Sequence, residues 1–94
     1  MKDKKNYYKN LPETSGVYLM KDVKGKLLYI GKAGNLRRRV SSYFLRPHDA
    51  RIEGLVHRIG KIDHENTDSA LEALILESAL IKKRSDFFND PFPQ

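Results

Sequence analysis

Residues 28–44 read LYIGKAGNLRRRVSSYF: a short apolar run ends in Tyr-Ile-Gly and is followed at once by a lysine, three arginines and another tyrosine. The apolar run is rich in residues that favour strands, and Gly31 ends it by letting the backbone turn. Asn35 is a good N-cap for a helix that continues to about Phe44. The apolar residues of that helix, Leu36, Val40 and Tyr43/Phe44, recur at helical spacing. This stretch therefore predicts a strand joined to a helix, with basic side chains around the junction.

A second apolar run precedes this strand and predicts a β-hairpin. Gly16 to Lys21 (GVYLMK) and Leu27 to Gly31 (LLYIG) are separated by DVKGK, in which Gly25 can take the positive φ of a tight turn. A two-residue loop centred on Lys24-Gly25 puts four residues on one face of the sheet, namely Tyr18, Met20, Tyr29 and Gly31. A three-residue loop would separate the tyrosines. We expect the shared face.

The rest of the chain predicts two more helices and a strand. A helix follows Asp49 and ends near Gly60, residues 61–66 are a weak strand, and TDSALEALILESALIKKR is a helix with Ser69 and Glu72 at capping-box spacing. The resulting order β-β-α-α-β-α predicts a small α/β (α+β) domain with an antiparallel three-stranded sheet flanked by helices. We expect one domain over residues 1–94, with a mobile basic lead at residues 1–10 and an irregular tail at residues 85–94, where Pro91 and Pro93 oppose a helix.

Composition and charge restrict the possible functions. The chain has no cysteine, so thiolate metal sites and disulfides are excluded, and no window approaches a membrane span; we expect a cytoplasmic protein. Residues 1–46 hold 12 Lys/Arg and 3 Asp/Glu, a balance of +9, whereas residues 47–94 hold 6 and 9, a balance of −3. Such segregation suits a phosphate-rich partner of the first half, although solvation of a small protein is an alternative explanation.

Glu77 is the most informative acidic residue. On the helical wheel its neighbours are apolar, so its carboxylate should lie in a buried sector, where an unpaired charge is costly. Three outcomes remain open from the pattern alone. The carboxylate is neutralised by an arginine, it coordinates a divalent metal, or the helix edge is more exposed than the wheel suggests.

Three tyrosines and two cations form the other candidate set. Tyr18, Tyr29 and Tyr43 singly suit an amphipathic core, but together they lie among Lys32, expected in a loop after the strand, and Arg39, expected beside Tyr43. Nearby positive charge is expected to lower phenol pKa values and favour proton transfer. Of the other arginines, Arg38 is expected to be a solvated surface residue. The histidines, at positions 48, 57 and 64, have no metal-ligand spacing.

The sequence as a whole resembles the GIY-YIG nuclease superfamily, and within it the N-terminal nuclease domain of the bacterial excinuclease family UvrC. The resemblance rests on GVY at 16–18, YIGKA at 29–33, NLRRRVSSYF at 35–44 and EALILESALIKK at 72–83. It implies a divalent-metal-dependent DNA endonuclease that uses one Mg²⁺ or Mn²⁺ ion, held by Glu77. The motif also implies a catalytic set consisting of Tyr18, Tyr29, Lys32, Arg39 and Tyr43, with Tyr29 activating or orienting the attacking water.

The resemblance further implies DNA contacts and a partner. The expected DNA-binding residues are Lys32, Arg37, Arg39 and Asn89, the last of which lies twelve positions after Glu77. Ser85-Asp86 departs from the Arg-Pro that the family usually has there. The implied activity is strand incision in nucleotide excision repair beside a helicase subunit of the UvrB kind. The alternatives are a non-catalytic nucleic-acid-binding module and a stand-alone GIY-YIG endonuclease outside excision repair.

Overall fold

A three-stranded antiparallel sheet forms the centre of the protein. The computed structural model describes residues 4–83. The strands are β1 (Gly16–Lys21), β2 (Leu27–Ala33) and β3 (Lys61–Asn66), and β1 lies in the middle, in the order β2-β1-β3. Both pairings are antiparallel. The predicted sheet is therefore confirmed.

The hairpin between β1 and β2 reaches the expected register by an unexpected route. Its turn has three residues between Asp22 and Lys26, since the Asp22 N–H donates to the Lys26 carbonyl at 2.9 Å. Gly25 takes φ 87° there, as predicted. The two-residue loop is wrong, but the pairing shifts by one residue between Met20 and Lys21 and leaves Leu28 as a β-bulge. The bulge restores the register in which Tyr18 faces Gly31, so the tyrosines do share a face.

The main core lies on that face of the sheet, under the first two helices. Helix α1 (Leu36–Leu45) begins at Asn35, whose side chain accepts the Arg38 N–H, and α2 (Ala50–Arg58) begins at Asp49 in the same way. The Asn35 cap is as predicted, and α2 follows Asp49 as predicted. The buried core cluster includes residues from both strands and both helices: Tyr18, Met20, Leu28, Tyr29, Leu36, Val40, Tyr43, Leu55 and Val56.

Helix α3 (Ala70–Lys83) packs against β2 and β1. Its buried residues are Ala73 and Glu77. The Ser69 hydroxyl accepts the Glu72 N–H at 3.1 Å, and the Glu72 carboxylate accepts the Asp68 N–H at 2.8 Å. This is a capping box displaced by one residue. Among the described residues no helix is long and apolar enough to cross a membrane.

Residues 4–8 of the N-terminal segment, for which the sequence predicts a mobile basic lead, contact α1. Residues Lys4–Tyr7 form a 3-10 turn, and the rings of Tyr7 and Tyr8 stack on Phe44 of α1 with centroids 5.5 and 5.6 Å away. The Tyr7 hydroxyl donates to the Ile59 carbonyl at 3.1 Å. Two aromatic contacts, which the charged sequence around them did not predict, thus hold residues 4–8 against α1.

Candidate active site

Three tyrosines meet on the α1 side of the sheet. Tyr18 of β1 and Tyr43 of α1 share a buried hydrogen bond, with their hydroxyl oxygens 2.7 Å apart. The Tyr18 ring lies 5.9 Å from the Tyr43 ring and 6.3 Å from the Tyr29 ring, between centroids. The strand pairing and the helix therefore bring together all three tyrosines that the sequence singled out.

Gly31 provides the space for this cluster. A Cβ atom at Gly31 would overlap the Cζ and hydroxyl oxygen of Tyr18, so the Tyr18 ring lies directly on the β2 backbone. The sequence predicted that Gly31 ends the strand and turns the backbone. It instead lies within the strand, and the absence of its side chain admits the Tyr18 ring.

Tyr18 and Tyr29 are neutral phenols at physiological pH, contrary to the expected lowering of their pKa values. Burial raises the pKa of Tyr18 well above its usual 10.0, and the neighbouring Tyr43 raises it further. Burial also raises the pKa of Tyr29, with additional contributions from Tyr43 and the Glu77 carboxylate. Arg39 lowers both pKa values, but desolvation dominates. In the protein without substrate, both phenols therefore form hydrogen bonds and do not act as bases.

Arg39 and His48 flank Tyr43. The Arg39 guanidinium carbon lies 5.6 Å from the Tyr43 ring centroid, a cation–π distance. The His48 ring stacks on the same tyrosine at 5.7 Å and 26°, and its Nε2 lies 2.9 Å from the Ser42 carbonyl oxygen. The sequence placed Arg39 correctly but missed His48, because its position depends on how the α1–α2 loop folds back.

Glu77 is buried where the helical wheel predicted. It is 5% exposed, and its Oε2 atom has no hydrogen-bond partner among the described residues. The exposed-edge alternative is thereby excluded. No ion pair joins Glu77 to Arg39 or to another cation of residues 4–83. The carboxylate is close enough to Tyr29 to raise the pKa of that phenol.

Lys32 joins the two sides of the site. It is an exposed residue of β2, not of a following loop as expected, and pairs with Val17. It lines a groove beside α1 and also a smaller cavity of about 200 Å³ against Ala70 and Ala73 of α3. Lys32 thus lies between the helix that carries Arg39 and the helix that carries Glu77.

Arg37 lies on the other flank of α1 from this groove. Its Nε donates to the Leu11 carbonyl at 2.8 Å, and its Nη1 lies 3.2 Å from a Glu13 carboxylate oxygen. These contacts hold the segment before β1 and do not favour the DNA contact expected for Arg37. Arg38, expected to be a solvated residue, lines the groove with Lys32 and Arg39. Asn89, the remaining expected DNA contact, lies outside the described residues.

The residues present fit a hard divalent cation at Glu77. An orphaned, buried carboxylate oxygen is a preferred ligand of Mg²⁺, which usually keeps several waters and takes one or two protein carboxylates. Residues 4–83 bring together no group of three or more His, Cys, Asp or Glu side chains that could enclose an ion. Among residues 4–83, Glu77 would therefore leave coordination positions open to water and substrate oxygens.

Together the fold and the site define a GIY-YIG type of domain, with tyrosines from a hairpin and a helix opposite a helical glutamate. A family model described as the UvrC-like GIY-YIG domain matches residues 14–90. The chain belongs to this family, which confirms the resemblance seen in the motifs.

Solved structures agree with this assignment. The chain matches the crystal structure of the GIY-YIG N-terminal endonuclease domain of UvrC from Thermotoga maritima bound to its catalytic divalent cation, magnesium. The two are 35% identical with a TM-score of 0.79, over 90% of this chain and 94% of that one. A crystal structure of a point mutant of the same domain, also bound to its catalytic divalent cation, gives the same TM-score.

Curated relatives are longer proteins. UvrABC system protein C of Hydrogenovibrio crunogenus is 48% identical over 84 residues, and that of Methanococcoides burtonii is 44% identical over 82 residues. The matches cover 88% and 85% of this chain. The chain spans only 14% of the length of either relative.

Proposed function

We propose that this chain is a DNA endonuclease domain that hydrolyses a phosphodiester bond with one Mg²⁺ or Mn²⁺ ion bound at Glu77. The observation that carries the proposal is the buried Oε2 atom of Glu77, near Tyr29, which has no hydrogen-bond partner within residues 4–83. The similarity to a domain solved with its catalytic divalent cation supports it. The single-domain organisation over residues 1–94 remains part of the proposal.

Each side chain has a task that its position allows. Lys32 and Arg39 are cations that line the same groove and would contact non-bridging oxygens of the scissile phosphate, whose negative charge grows during attack. Tyr29, a neutral phenol beside Glu77, would orient the attacking water by hydrogen bonding. An ion held by Glu77 would supply positive charge that polarises a phosphoryl oxygen and lowers the pKa of the attacking water.

Tyr18 and Tyr43 act as a pair. Because their hydroxyl groups share one hydrogen bond, one of the two oxygens retains a donor for a substrate oxygen. Arg39 and His48 hold the Tyr43 ring, so the donor keeps its direction. The Tyr18–Tyr43 pair would therefore complete the contacts around the phosphate.

We further propose that the reaction is strand incision in nucleotide excision repair in the cytoplasm, with a helicase subunit of the UvrB kind as partner. The names of the curated relatives, UvrABC system protein C, support this over a stand-alone endonuclease. The alternative of a non-catalytic binding module would leave Glu77 paired with Arg39. No such ion pair exists between these two described residues.

Glu77→Gln tests the proposal, and Glu72→Gln is its matched control on the same helix. Millimolar MgCl₂ should raise the melting temperature of the wild type and of Glu72→Gln but not of Glu77→Gln. An ion at about ten times its Kd stabilises by about 1.4 kcal/mol, a shift of about 6–10 °C for a chain of this size. This readout does not depend on turnover.

Cleavage is measured as nicking of supercoiled plasmid and of a damaged duplex, with and without the helicase partner. Glu77→Gln should lose metal-dependent nicking, and Glu72→Gln should retain it. Unchanged nicking by a folded Glu77→Gln variant would remove Glu77 from the metal site.

A further inference from the structure

A basic groove leads away from the candidate active site along α1. It has a volume of about 560 Å³ and is lined by the end of β2 and one flank of the helix. Its polar side chains include Lys32, Arg38, Arg39, Ser42 and Arg46. Two of these cations, Lys32 and Arg39, belong to the active site already described. The groove is therefore continuous with the position of the scissile phosphate.

The arginines of the groove have no acidic partner in the described part of the chain. Arg37, on the other flank of α1, pairs with Glu13, and Arg51 pairs with Asp49. No ion pair involves Arg38 or Arg46 among residues 4–83, and no acidic residue lines the groove. Like charges gathered without counter-charge repel one another and attract an anionic ligand. This arrangement favours a polyanion over a self-contained surface network.

The spacing of the two arginines matches a nucleic-acid strand. Arg38 and Arg46 are eight residues apart on α1 and its C-cap, which separates them by about 12 Å at 1.5 Å per residue. Bases in one DNA strand rise by about 3.4 Å each, so this distance corresponds to about three nucleotides. The Ser42 hydroxyl between them donates its proton to the Arg39 carbonyl at 2.6 Å. The arginines are therefore the groups that can donate to phosphate oxygens.

We propose that this groove binds the sugar-phosphate backbone of the DNA strand next to the cleaved bond, and that Arg38 and Arg46 are its phosphate contacts. The inference rests on the proposed nuclease function. It assigns DNA binding to Arg38 and Arg46 in place of Arg37. Contacts to phosphates carry no base sequence, so the groove sets affinity and strand direction without sequence preference.

The test compares Arg38→Gln/Arg46→Gln with the control Lys24→Gln/Arg58→Gln, which removes the same charge at exposed sites. Lys24 lies in the hairpin turn, beyond Lys21, and Arg58 ends α2 just before β3. The groove lies at the other end of β2, where Gly34 follows the strand. The control substitutions are therefore at the opposite end of the sheet from the groove. Affinity for a fluorescent 20-base-pair duplex is measured by anisotropy in EDTA between 20 and 200 mM KCl.

The groove variant should lose about two units of the slope of log K against log [KCl], because each lost phosphate contact removes about 0.9 unit. Its affinity at 50 mM KCl should fall more than tenfold. The control should keep the wild-type slope. Arg38→Lys/Arg46→Lys, which preserves the charges, should restore most of the slope.

Two outcomes would overturn the groove assignment: equal slopes for the groove and control variants, or a wild-type slope indistinguishable from zero. Cleavage assays separate this failure from failure of the nuclease proposal. With saturating DNA, the groove variant should retain kcat while its KM rises. If Glu77→Gln loses cleavage but the groove variant keeps wild-type KM, the nuclease proposal stands and the groove assignment fails.

Discussion

Gly31→Ala should destabilise the protein through one defined overlap. The new Cβ would coincide with the Cζ and hydroxyl oxygen of Tyr18, which is 1% exposed. The φ of Gly31 is not positive, so the backbone itself accepts alanine. The clash must be relieved by moving a buried ring whose hydroxyl is 2.7 Å from that of Tyr43.

The expected cost follows from these two contacts. Overpacking a core costs about 1–3 kcal/mol, and separating a buried hydrogen-bonded pair costs about 1–2 kcal/mol more. Reduced entropy of the unfolded chain returns about 0.5–1 kcal/mol. The net loss of about 1–4.5 kcal/mol is a large part of the roughly 5–14 kcal/mol expected for 94 residues.

Urea unfolding measures this loss, with two glycine-to-alanine controls. No atom lies within 4 Å of a Cβ at Gly34 or Gly54. Gly54→Ala, inside α2, should stabilise by about 1 kcal/mol. In a Tyr18→Leu background, Gly31→Ala should cost less than about 1 kcal/mol, because leucine has no atoms at the clashing positions. A Gly31→Ala protein within about 0.5 kcal/mol of the wild type would refute the reasoning.

Three further predictions concern the contacts around the site and the sheet. Tyr43→Phe should lower the free energy of unfolding by about 1–2 kcal/mol in urea titrations, since it leaves the Tyr18 hydroxyl buried without its partner. His48→Ala should cost about 1 kcal/mol through the lost stacking on Tyr43, and His48→Phe should recover most of it; equal losses in both variants would argue against stacking. The Lys21 ammonium, 2.7 Å away, holds the pKa of Asp63 below its usual 3.8. A lowered folded-state pKa stabilises the protein above the unfolded-state pKa, and this stabilisation is lost as pH falls through the folded-state pKa. Because the pair is about a third exposed, the contribution should be under about 1 kcal/mol, and Asp63→Asn should flatten the stability profile below about pH 4 in urea titrations from pH 2.5 to 7.

Local signals predicted the elements well because each depends on neighbouring residues. Asn35 and Asp49 cap their helices through side chains that bond backbone three residues ahead, and Gly25 takes the positive φ that its turn needs. The burial of Glu77 followed from helical periodicity, because its neighbours on the helical wheel, such as Ala73, Leu80 and Ile81, are apolar. These features required no knowledge of tertiary structure.

Features that depend on contacts between residues far apart in the sequence could not be predicted. The bulge at Leu28 shifts the register in a way that loop length does not reveal. The pKa of Tyr29 depends on competition between burial and Arg39, and only the folded environment shows that burial dominates. Likewise, His48 reaches Tyr43 through a loop whose path no periodicity describes.

The arginine triplet, residues 37–39, shows how far helical geometry alone can predict the roles of side chains. At about 100° per residue, Arg37 points about 100° to one side of Leu36, whereas Arg39, Arg46 and Arg38 point about 60°, 80° and 160° to the other side. The helix alone therefore separates Arg37 from the three others. It does not tell which flank meets the Leu11–Glu13 segment and which meets the end of β2. The Arg37 bond to the Leu11 carbonyl decides this, and it leaves the opposite flank, with Lys32 and Arg39, open to the substrate.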